Sequence, residues 1–180
     1  MIVFFVLSMF FSAIDEDIAD QIHKKYSRNI IQAVEKYPYI NSKGEKLQIS
    51  QALIKAIIYQ ESLGIPNAKS HAGAKGLTQI MPQTAKILKC DYDRLDQPGL
   101  AIDCSVRFLA ALLTYNKGDL IKSLSGYNGG TYSTETRATE TNGLLAGRIY
   151  NNNETKNYVV SVLKWFEWFK KNVKSDLPIK

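Results

Sequence analysis

What the chain lacks narrows the reading first. It has two cysteines and two histidines in 180 residues. His23 and His71 stand far along the chain from Cys90 and Cys104, so no clustered donor set for a metal presents itself. There is no zinc-finger spacing and no basic helix of the kind that enters a groove, which argues against nucleic acid as a partner. No apolar run reaches the roughly 20 residues that span a bilayer. Internal repeats and low-complexity tracts are absent, and alternating strand patterns are scarce.

What remains is an ordinary globular composition, 45% hydrophobic and 22% charged, of a length that suits one core. The formal charge of +6 suits an anionic partner, and an anionic cell-wall polymer fits as well as any other. Residues 1–13, MIVFFVLSMFFSA, are almost wholly apolar. Two readings fit them: a secretory signal ending near Ser12 and Ala13, or an N-terminal helix packed on the domain. The acidic stretch Asp15-Glu16-Asp17 and the lack of an amphipathic pattern favour export. In an exported chain the even cysteine pair predicts a Cys90–Cys104 disulfide; in a cytosolic one, two buried thiols.

Helical periodicity organises the rest. Ile18, Ile22, Tyr26, Ile30, Val34 and Tyr37 predict a helix over 15–37, ended by Pro38, with a turn at Asn41–Gly44. A helix over 50–63 follows, with Ser50 as its cap and Gly64 and Pro66 as its stop. Residues 67–77 read as a loop, Pro82–Leu88 as a short helix, and 99–115 and 119–127 as further helices. The segment 131–150 reads as a mobile surface stretch, and a last helix runs from Glu154 to Lys171. The fold class is mainly α. The expected organisation is a signal over 1–13, an N-terminal helical extension over 14–48, a catalytic domain over 49–171 and a tail over 172–180.

Glu61 stands out within the second helix. On a wheel of 3.6 residues per turn it falls between Ile57 and Ile54, inside the apolar stripe. A generic glutamate there reaches out to water or pairs with a lysine. Here it also lies in the last turn, where the helix dipole disfavours a negative charge, and burial beside isoleucines acts in the same direction. Both raise its pKa, which is what a general acid needs near neutral pH.

The residues that follow are more specific. They run Glu61-Ser62, then Ala68-Lys69-Ser70, then Gly73-Ala74-Lys75-Gly76-Leu77-Thr78-Gln79-Ile80-Met81-Pro82-Gln83-Thr84-Ala85. Farther on stand Ser125-Gly126-Tyr127-Asn128-Gly129 and Glu154-Thr155-Lys156-Asn157-Tyr158-Val159. Together these resemble the lytic transglycosylases of the soluble-transglycosylase, goose-lysozyme-like type, over roughly residues 50–166. A looser match spans Asp96 to Leu109, where Ala101, Ser105 and Phe108 replace the family's usual Asn, Gly and Tyr.

The resemblance implies a lysozyme-like helical domain with a glycan-binding groove. It implies Glu61 as the acid/base and Tyr158 as the residue that orients its carboxyl. Ser70, Gln79, Tyr127 and Asn128 would line the groove, with Ser70 and Asn128 reaching sugar amide groups. Read without the resemblance, Tyr127 and Tyr158 are equally core aromatics, Gln79 and Asn128 loop or cap residues, and Ser70 a turn cap. No second carboxylate motif has a clear place, whereas ordinary glycosidases use two. The resemblance therefore implies cleavage of peptidoglycan glycan strands without water, closing a 1,6-anhydro ring, with no metal or organic cofactor, in the periplasm or wall if the chain is exported. A lysozyme-type hydrolase, a non-catalytic glycan-binding scaffold and a basic nucleic-acid-binding domain are the competing readings. Small members of the family serve secretion, conjugation or pilus machinery, so such machinery is the expected partner beside peptidoglycan.

Overall fold

A computed structural model describes residues 2–129 and 153–173, with side chains from Asp15 onward. The stretch 131–150 and the tail from 174 lie outside the described residues. Helices carry the architecture: α1 (Ile2–Lys36), α2 (Gln51–Ser62), α3 (Pro82–Ile87), α4 (Pro98–Tyr115), α5 (Leu120–Gly129) and α6 (Asn153–Asn172). The helix predicted over 15–37 is the later part of α1, which starts at Ile2, so no break in secondary structure marks the expected boundary at residue 13.

One sheet was not legible in advance. Strands β1 (Tyr39–Ile40) and β2 (Lys46–Leu47) pair antiparallel, with Tyr39 opposite Leu47. Asn41 closes the hairpin by accepting the amides of Lys43 and Glu45 on its Oδ1, both at 2.9 Å. Two-residue strands carry no alternation for a sequence to display.

The core is continuous. Ile22, Tyr26, Ile30 and Val34 of α1 are buried in the same cluster as Ile54, Ile57 and Ile58 of α2 and Leu109 and Leu112 of α4. Val162, Trp165 and Phe169 of α6 close it on another side. Each such side chain contributes on the order of 2 kcal/mol by leaving water. The buried side chains of α1 from Ala19 to Val34 therefore share one core with the helices that follow. α4 is long and apolar enough to cross a membrane by composition, but its burial marks it as a core helix.

Helix ends differ from the sequence reading in instructive ways. Ser50 occupies the N-cap of α2, yet its side chain makes no capping hydrogen bond. Asp119 instead caps α5, accepting the Lys122 amide at 3.0 Å. At the end of α2 the left-handed turn begins one residue early, at Leu63 (φ 52°), before Gly64 (φ 76°). A Cβ on Gly64 would stand 2.8 Å from Ile22 Cγ1, so the glycine is what lets α1 lie against this turn. Tyr26 of α1 adds a hydrogen bond to the Gly64 carbonyl at 3.0 Å.

Cys90 and Cys104 are joined by a disulfide that ties the segment after α3 to α4. The same segment supplies Leu95, whose carbonyl oxygen would lie 2.1 Å from a Cβ on Gly76. The loop before α3 thus nests against the segment after it.

Candidate active site

Glu61 lies in the last turn of α2, one residue before the helix ends at Ser62. The neighbouring Ile57 and Ile58 are fully buried, and Glu61 itself is only partly exposed. Tyr158 of α6, buried and 97 residues later in the chain, donates its hydroxyl to Glu61 Oε1 at 2.8 Å. Burial pushes the Glu61 carboxyl up from an ordinary 4.5 to about 7, and the Tyr158 hydrogen bond opposes that rise. Of the two causes expected from the sequence, burial is the one that dominates. No neighbouring carboxylate among the described residues contributes to it.

Ser62 fastens the following loop to the end of α2. Its Oγ donates to the Leu77 carbonyl at 2.8 Å, with the Ile58 carbonyl at 3.2 Å. Within the loop, the Ala74 amide donates to Ser70 Oγ at 2.9 Å. Gln79 holds an uncommon left-handed backbone (φ 47°), and its Nε2 donates to the carbonyls of Ala68 and Gly76 at 3.1 and 2.9 Å. Both side chains therefore brace the loop; Gln79 has only its Oε1 left to offer a ligand.

Tyr127 is buried rather than displayed. Its hydroxyl donates to the Thr78 carbonyl at 3.1 Å, which leaves Ser105 as the donor across the 2.8 Å Ser105–Tyr127 contact. Thr78 in turn donates to the Ala101 carbonyl at 3.2 Å. Burial, with the nearby Glu61 charge second, pushes the Tyr127 phenol upward, so it stays neutral as a wall of the site. Tyr158 is raised well above the usual range for the same reasons in the same order. Asn128 follows at the end of α5 and accepts the Thr155 hydroxyl on Oδ1 at 3.0 Å.

The structure thus brings Glu61, Tyr158 and Tyr127 together, joins Asn128 to them through α6, and keeps Ser70 and Gln79 in the loop that Ser62 anchors. Sequence reasoning missed Ser62, Thr78, Ser105, Thr155 and Ser161. Four of these stand inside or beside the quoted motifs, and Ser105 was visible only as a replacement for glycine. A shallow apolar cleft of about 510 Å³ lies elsewhere, between Lys36–Pro38 and Ala110–Tyr115, and shares no residue with this set.

The helical fold that carries this site is shared by two solved structures: an inactive mutant of the lytic transglycosylase Slt from Pseudomonas aeruginosa (TM-score 0.62, 21% identity, 86% of this chain) and the 70 kDa soluble lytic transglycosylase from Escherichia coli (TM-score 0.53, 21% identity, 82% of this chain). Each is covered over 25% of its own length.

The chain belongs to the transglycosylase SLT domain family, which it matches over residues 38–146. It is 36% identical to the peptidoglycan transglycosylase gp16 of Escherichia phage T7 over 88 residues, 46% of this chain and 7% of that protein. It is 29% identical to the membrane-bound lytic murein transglycosylase F of Desulfosudis oleivorans over 131 residues, 63% of this chain and 28% of that protein. The chain therefore spans a minor part of the curated relatives it matches.

Proposed function

We propose that this chain is a peptidoglycan lytic transglycosylase whose single acid/base is Glu61. One observation carries the reading: a carboxyl raised to about 7 by burial, aimed by the Tyr158 hydroxyl, at the end of the helix that anchors the family's loop. Near neutral pH such a group exists in both forms, so it can give a proton and then take one back.

In the first step the protonated Glu61 carboxyl gives its proton to the β-1,4 glycosidic oxygen between N-acetylmuramic acid and N-acetylglucosamine. The bond from C1 to that oxygen breaks, and the acetamido oxygen of the muramyl sugar bonds to C1. In the second step the muramyl C6 oxygen attacks C1, the acetamido oxygen leaves, and Glu61 recovers the hydroxyl proton. A 1,6-anhydro ring results and no water is consumed. Tyr158 holds the carboxyl in place through both transfers, while the buried Tyr127 helps keep water from it.

The finer role is local opening of the wall during assembly of a secretion, conjugation or pilus apparatus, after export directed by residues 1–13. Mass spectrometry of digested peptidoglycan tests the chemistry. Anhydromuramyl ends are expected from the wild type and none from Glu61→Gln. Reducing ends would instead identify a hydrolase, and equal products from both proteins would remove Glu61 from the reaction. A reporter fused after residue 13 that stayed in the cytoplasm would overturn export.

A further inference from the structure

Three hydroxyls lie three residues apart along one broad face of α6. Thr155 donates to Asn128 Oδ1 at 3.0 Å, Tyr158 to Glu61 Oε1 at 2.8 Å, and Ser161 to Gln60 Oε1. One helix therefore fixes the acid, the residue before it on α2, and the asparagine at the end of α5. Thr155 and Tyr158 are 2% and 5% exposed, so the bonds to Asn128 and Glu61 start from side chains packed in the core.

The Thr155 bond has a consequence for Asn128. A primary amide presents an acceptor on one side and two donors on the other, and it can turn over by half a rotation. With Oδ1 taken by Thr155, Nδ2 faces the opposite way. Asn128 is half-exposed, and its Nδ2 has no partner among the described residues. The end of α5 therefore displays donors and hides its acceptor.

We propose that Thr155 is a positioning residue that locks Asn128 with Nδ2 outward, so that the site selects an acceptor oxygen on the glycan, the carbonyl of an N-acetyl group. That carbonyl is the strongest neutral acceptor a peptidoglycan glycan strand carries. This rests on the glycan-cleaving reading above and adds which end of the amide is read and which residue sets it. Without the Thr155 donor the amide turns freely, and in half its orientations it sets an oxygen against the sugar carbonyl.

The test uses the full chain with Thr155→Val, which keeps the shape and loses the donor, and Thr155→Ser, which restores the donor. Each is measured for turnover of N-acetylated peptidoglycan glycan strands and, combined with Glu61→Gln, for binding to the same strands. Thr155→Val should raise KM and the binding Kd by about twofold, because about half of the amide's orientations stay productive, with a smaller change in kcat. Thr155→Ser, which restores the donor, should return both to the parent values. Asn128→Asp, which keeps the acceptor and removes the donors, should weaken binding by at least as much. Adding Thr155→Val to it should cost nothing more. Unchanged binding in Thr155→Val, or additive losses in the double variant, would overturn the assignment. Cleavage by Glu61→Gln would defeat the functional reading instead, while the binding series would still decide the role of Thr155.

Discussion

Tyr158 holds Glu61 across 97 positions of sequence with a single 2.8 Å hydrogen bond, and among the described residues no other donor reaches that carboxyl. The carboxyl is thus kept by one partner and by burial, two influences that push its proton affinity in opposite directions.

Glu61→Gln keeps the shape and removes the proton. Loss of a general acid lowers rates by about 10²–10⁴-fold, and that loss in kcat is expected here with unchanged circular dichroism. A variant retaining wild-type turnover would exclude Glu61 as the acid.

Activity should follow the protonated form. With the carboxyl titrating at about 7, kcat/KM should fall as pH rises past neutrality. Tyr158→Phe removes the one bond that lowers this value, so its upper limb should move to higher pH while kcat drops about tenfold through lost aim. A limb that stayed in place would show that Tyr158 acts only as packing.

The same carboxyl should cost stability in alkali. Its folded pKa is raised, so the folded state binds the proton more tightly than the unfolded chain does. That contribution is fully present below 4.5, is lost as pH rises through about 7, and amounts to on the order of 3 kcal/mol. Glu61→Gln, which cannot charge, should therefore melt higher than wild type at pH 8 and show no such advantage at pH 4. Equal melting differences at the two pH values would contradict the burial described for Glu61.

The helices were legible because their apolar positions recur every three or four residues, as at Ile22, Tyr26, Ile30 and Val34. Glu61 was legible for a related reason: periodicity alone puts it between Ile54 and Ile57. Its partner was not, since a contact between α2 and α6 leaves no local pattern, and Tyr158 was reached only through a motif. Tyr127 and Gln79 show the opposite limit. Their types suit a groove, but Tyr127 donates to the Thr78 carbonyl and Gln79 to the carbonyls of Ala68 and Gly76, which only three-dimensional proximity reveals.

Opening the Cys90–Cys104 bond should loosen the segment that backs the loop. Closing a chain segment of 14 residues' separation is worth about 3 kcal/mol. Reduction, or a double serine variant, should lower Tm by roughly 6–12 °C. An unchanged Tm on reduction would show that the packing of Leu95 and Cys104 suffices without the bond.

Gly76→Ala should damage the loop more than any surface change. The new methyl would meet the Leu95 carbonyl at 2.1 Å on a backbone with φ 83°, so the backbone itself must shift. Destabilisation above about 2 kcal/mol by denaturant unfolding is expected, with weaker glycan binding. Wild-type stability would mean that the two segments can separate without cost.

The contact of Ile22 with Gly64 also bears on how small this domain can be made. The family match opens at residue 38, after α1 has ended, yet α1 roofs the turn that terminates the acid-bearing helix. A fragment trimmed to the motif-bearing stretch would keep every signature residue, strip Tyr59 of its Asp15 partner on α1 and expose the underside of that turn to water. The minimum heritable piece is therefore longer than its signature, and a graft into another protein has to carry its first helix with it.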